Sequence, residues 1–155
     1  MTIEITAPAE VALEARQGSP FHYVLQFFSD EGGTQPYDLT GWTFRMQLRE
    51  GVADSAVAVE YTLSSEGTDP EIMFIGANTD GTPNLTGDPD PENGMLYLYL
   101  ASAKTATLQA QKAPKPRQYP VSLTFYYDLE GTPPAGEPMA LAFGTFSVAC
   151  EVTRG

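Results

Sequence analysis

The only histidine in the chain, His22, sits between Phe21 and Tyr23 in the run "FHYVLQFF". Imidazole is the side chain best suited to move protons near neutral pH. To be catalytic it needs partners: further metal ligands, or a nucleophile and an orienting carboxylate. With one His in the sequence there is no histidine cluster for a metal and no second imidazole base. His22 therefore reads as a strand-face residue. The carboxylates are densest in "ANTDGTPNLTGDPDPENG", where Asp88, Asp90 and Glu92 alternate and Asn78 and Asn93 add oxygens. That spacing partly matches a calcium loop. Gly94 comes one place late, Tyr99 stands where the closing glutamate belongs, and Pro89 and Pro91 stiffen the path. A glycosidase-type carboxylate pair in such a loop would be poorly held. The one cysteine, Cys150, cannot form an internal disulfide and fits an alternating strand as a small hydrophobe. No "GxSxG", CxxC or phosphate-cradling glycine loop is present. The residues thus give no catalytic group, no cofactor and no metal site, and the chain reads as a non-enzyme.

The charge balance restricts partners further. A formal net charge of −12 repels phosphate backbones and anionic lipid, so neither nucleic acid nor membrane is an expected partner. Lys112, Lys115 and Arg117 in "QKAPKPRQ" cluster, but read as a solvated loop. The start "MTIEITAPAE" lacks the basic and apolar regions of a signal peptide, and no apolar run reaches spanning length. Synthesis in the cytoplasm is the expectation.

The residues that could act must be held by strands, because the dominant period is two. In "WTFRMQLRE", Trp42, Phe44, Met46 and Leu48 face one way and Thr43, Arg45, Gln47 and Arg49 the other. "YPVSLTFYYD" and "VAVEYTL" alternate likewise, whereas "PFHYVLQFFSD" and "GMLYLYLA" carry large apolar groups on both faces. Such strands are covered on both sides or packed on a neighbour. In "MALAFGTFSVACEVTR" the parity changes, and Gly144 at the break predicts a bulge or bend there. "ASAKTATLQAQ", Ala101 to Gln111, is the one helical candidate, expected to make one or two turns. The 14 Gly and 13 Pro supply the turns between strands. The reading is an all-β fold: an antiparallel immunoglobulin-like β-sandwich with one short helix, comprising an arm over 1–14 and one domain over 15–155 with an inserted loop at about 76–93.

The order of several motifs adds a resemblance. "YDLTGWTFRMQLRE" resembles a segment common in small tailed-phage structural proteins. It follows the aromatic strand "FHYVLQFFSDEGG" and precedes "GMLYLYLA", an Ala/Thr helix, "YPVSLTFYYDL" and "GTFSVACEVTRG". Over residues 15 to 155 this order is similar to the N-terminal domain of the phage baseplate upper protein family. The resemblance implies an immunoglobulin-like sandwich that attaches fibres or receptor-binding proteins to a tail. It implies virion localisation and other phage virion proteins (tail, baseplate or fibre subunits) as partners, in multiple copies. The family's domain is followed by a stalk and receptor-binding part that this sequence does not show, and the loop Gly76 to Asn93 is extra. A capsid decoration protein is the alternative within the class; a carbohydrate-binding module, with tyrosines on sugar rings and calcium in the acidic loop, is the alternative outside it.

Expected protein-interface residues follow from the strand pattern. Ile3 and Ile5 lie in an N-terminal arm able to add to a neighbour's sheet. Tyr97, Tyr99 and Tyr126 fall on the face opposite the core stripe, with polar tips suited to an interface. The loops Ala77–Asn93 and Leu129–Pro138 are the other contact candidates.

Overall fold

The computed structural model of the chain describes residues 2–5, 7–30, 32–49, 59–111 and 122–149. The described chain is mostly strand. In order, β1 spans Thr2–Glu4, β2 Ala9–Glu10, β3 Leu13–Arg16, β4 Phe21–Phe28, β5 Thr43–Arg49 and β6 Val59–Ser64. There follow β7 Ile72–Phe74, β8 Gly76–Ala77, β9 Pro83–Asn84, a 3-10 turn at Pro91–Asn93, and β10 Met95–Leu100. The one α-helix among the described residues, α1, spans Ser102–Gln111, and β11 Ser122–Thr132 and β12 Met139–Ala149 follow.

One sheet has the order β1-β4-β10-β7. The other runs β12-β11-β5-β6, with β2 and β3 both beside β12, and β8 pairs with β9 in a small hairpin. Both large sheets are antiparallel through their interiors. Their edges are parallel: β1 runs with β4, and β2 and β3 run with β12. The wholly antiparallel expectation is therefore corrected at both edges. All three parallel pairings come from the first strands, β1 in the first sheet and β2 and β3 in the second.

The turn before β5 is built by its own side chains. Thr40 donates from N and Oγ1 to Asp38 Oδ1, and Trp42 N donates to Leu39 O at 3.0 Å. Leu39 is buried, and the strand then alternates, with Trp42, Phe44, Met46 and Leu48 inside and Thr43 and Arg45 exposed. These meet Phe27, Leu96 and Leu98 of the first sheet and Phe125 and Phe146 of the second in one core cluster.

The last strand departs from its expected break. β12 is continuous, and its register slips where Leu129 faces Ala142 but Glu130 faces Ala140. Leu141 is thus the extra residue, so Leu141 and Ala142 are both buried and Phe143 turns to solvent. Gly144 has a different task. A Cβ there would stand 2.4 Å from the carbonyl oxygen of Val11, at a backbone φ of +152°. Tyr127, opposite Gly144, reaches that same carbonyl and donates its hydroxyl proton at 2.6 Å. Burial of the phenol raises its pKa, which keeps it a donor.

The helix joins the core through Leu108. It has ten residues, more than the turn or two expected. Thr105 holds it there: its buried hydroxyl accepts from Gly18 N at 3.1 Å and lies 2.9 Å from Ser19 O.

Candidate functional site

The expected interface residues separate into three places. Ile3 and Ile5 lie in the core instead of on a free arm, 3% and 4% exposed. Ile3 is opposite Phe27 in the parallel ladder, and Ile5 N donates to Phe28 O at 2.9 Å. The sequence pattern is the same for a strand that joins its own sheet and one that joins a neighbour's, so alternation alone could not place them. Neither is open to a partner in this arrangement.

Tyr97 and Tyr99 do lie together, on the outer face of the first sheet. Because Leu96, Leu98 and Leu100 of β10 are buried, the odd positions face away from the core. Tyr97 and Tyr99 stack with ring centroids 6.0 Å apart and planes 21° from parallel. His22 of β4 stands opposite Tyr99 and places its ring 6.2 Å from that of Tyr97. Val24 and Met73 flank Tyr97 on the adjoining strands. The result is an aromatic and aliphatic row across β4, β10 and β7, in place of the polar face that a solvated antiparallel sheet presents. Partial burial, then the neighbouring Tyr99, raise the pKa of Tyr97, so its hydroxyl stays neutral and able to donate. Sequence reading found the tyrosines and missed Met73; its signal is the parity of β7, a strand only three residues long.

Tyr126 is elsewhere, at 37% exposure on the outer face of the second sheet between Arg49 and Thr145. That face is mixed: Phe143 is exposed on it, and Arg45 pairs with Glu130 at 3.1 Å. Tyr126 and the Tyr97–Tyr99 pair cannot serve one contact.

Several of the ionisable groups hold local structure. Asp90 accepts from Glu92 N at 3.1 Å and caps the 3-10 turn. Asp80 and Asn84 accept from Thr82 N and Thr86 N, which shapes the extra loop into a hairpin with its own turns. Glu71 accepts from Tyr61 Oη and from Lys104 Nζ, the latter also reaching Asp69 at 3.3 Å. This group ties α1 to the loop before β7. Burial first, then the hydrogen bond to Glu71, raise the Tyr61 pKa. The Glu71 hydrogen bond raises that of Lys104. Among the described residues no three His, Cys, Asp or Glu side chains gather to hold a metal, and no helix is long and apolar enough to cross a membrane. Cys150 and the Lys112, Lys115 and Arg117 cluster lie outside the described residues.

The arrangement can offer adjacent amphipathic rings on rigid strands. Large, stiff side chains of this kind give contact area at a small entropic cost. No family model matches the chain, and no curated protein matches it in sequence.

Proposed function

We propose that the chain is a non-enzymatic structural protein of a tailed-phage virion, an immunoglobulin-like adaptor or accessory subunit of the tail or baseplate that helps attach fibres or receptor-binding proteins. The observation that carries this reading is the outward row of His22, Tyr97, Tyr99 and Met73, held in register across three strands of one sheet. A protein interface core is enriched in such residues and depleted of charge. The strand orders support the fold assignment, since β1 lies at the edge of one sheet and β2 and β3 at the edge of the other, with the long β11–β12 hairpin inside the second. The motif order from "FHYVLQFF" to "GTFSVA" supports the family assignment.

Purified particles test it. The protein should be present by mass spectrometry of gradient-purified virions, and tag labelling should place it on the tail, where a decoration protein would label the capsid. Tyr97→Ser with Tyr99→Ser should reduce incorporation while the isolated variant melts normally. Absence from particles would overturn the reading. The near-parallel Tyr97 and Tyr99 rings favour a second reading, a carbohydrate platform. Saturable oligosaccharide binding lost in the same double variant, with incorporation unchanged, would select it.

A further inference from the structure

A groove of about 550 Å³ runs along the free side of β7, a volume in the range of small-ligand sites. Phe44 and Phe74 meet edge-on in it at 5.9 Å, and Trp42 stacks on Phe44 at 6.1 Å. Leu85 from the β9 turn forms an outer wall and is 56% exposed. Core aromatics therefore reach toward a surface opening, with an apolar side chain beside them facing water.

The backbone at this edge is also unfinished. Tyr99 N donates to Glu71 O and Ile75 N to Met95 O, which makes the odd residues of this stretch the ones bonded to β10. Phe74, at an even position, therefore turns its N–H and C=O away from β10. Among the described residues neither group has a backbone partner on that side. An edge in this state is a template for another extended chain.

Glu66 lines the opening, Asp88 and Asp90 are the sequence neighbours of Pro89, which also lines it, and among the described residues no Lys or Arg does. Lys104, on α1, is already engaged by Asp69 and Glu71.

We propose that this groove receives an extended segment of a partner protein. The segment exchanges main-chain hydrogen bonds with Phe74, sets an apolar side chain against Leu85 and Trp42, and carries Lys or Arg on either flank toward Glu66 and Asp88. This is strand addition with pockets for alternate side chains. It goes beyond the virion reading and does not depend on it, since binding in solution is read without particles.

Trp42 is the only tryptophan and lies in the groove, so its emission reports occupancy. The probe is a blocked peptide, Lys-Val-Leu-Val-Lys, titrated into the full chain. The expected result is a saturable change in Trp42 emission. Binding should weaken about tenfold with Glu in place of both Lys, since like charges then face each other. It should weaken similarly when the central Leu is N-methylated, and in the Leu85→Glu variant, whose melting is unchanged because the site is exposed. No saturable change at millimolar peptide, equal binding of the acidic peptide, or full binding by Leu85→Glu each overturns the proposal. A protein that dimerises on gel filtration, with Trp42 emission following protein concentration, also overturns it, by assigning the groove to a second copy.

Discussion

Replacing Gly144 with alanine should be among the most damaging single changes available to this chain. An ordinary exposed Gly→Ala stabilises by roughly 0.4–1 kcal/mol through the unfolded chain. Here the new methyl would lie 2.4 Å from Val11 O and 3.0 Å from its carbonyl carbon, and both are main-chain atoms that cannot swing aside. The φ of +152° adds strain of about 1–3 kcal/mol for a residue with a Cβ. Moving Val11 away also breaks its 2.6 Å hydrogen bond from Tyr127 and strands two buried polar groups, about 1–3 kcal/mol more. The expected loss is roughly 3–5 kcal/mol, a large part of the ~5–15 kcal/mol typical of a domain. Urea unfolding followed by far-UV circular dichroism gives the value. Tyr127→Phe alone should cost about 1–3 kcal/mol, and the double variant less than the sum, because both changes act on one carbonyl. A neutral or stabilised Gly144→Ala protein, or strict additivity in the cycle, would refute the reasoning.

Three further outcomes are expected. Ile3→Ala should destabilise by about 2 kcal/mol, the low end for a buried isoleucine because the end strand can relax; an unchanged melting temperature would return Ile3 to a free arm. Thr105→Val keeps the shape of the side chain but leaves Gly18 N–H without its acceptor, and should cost about 1–3 kcal/mol in the same urea assay; no change would mean that Thr105 does not anchor the helix. Asp30, Asp38 and Asp80 each have a carboxyl pKa lowered from 3.8, first by hydrogen bonds from Thr34, Thr40 and Thr82. A lowered folded-state value adds stability that is complete above the unfolded value and is lost as pH falls through the folded one. The turns should therefore loosen in acid, below 3.8. Carboxyl carbon chemical shifts across an acid titration check this, and midpoints at or above 3.8 would contradict it.

Local pattern carried much of the fold and less of the surface. Alternation puts Trp42, Phe44, Met46 and Leu48 on one face, and all four are buried. Tyr97 and Tyr99 were assigned outward, and both share the outer face. The failures are at long-range contacts. Gly144 marks the approach of Val11, far away in sequence, whereas the register slip lies at Leu141, which carries no turn-forming residue to betray it. The parallel edges escaped because Ala9, Glu10 and Leu13–Arg16 alternate weakly, as an edge with one wet face can. The groove beside β7 was illegible because a three-residue strand has too little period to read, and Leu85 is isolated among turn residues.

The path of residues 2–16 also dictates an order of assembly. β2 and β3 pair with β12, so this pairing must wait until Met139–Ala149 has been made. Contacts of such sequence separation slow folding, because a long loop closes before any reward. Meanwhile the bare margin of β12's sheet stays open to the wrong chain. Docking of β2 and β3 therefore comes after β12 is made, and a nascent chain stalled before it is the species a chaperone would meet.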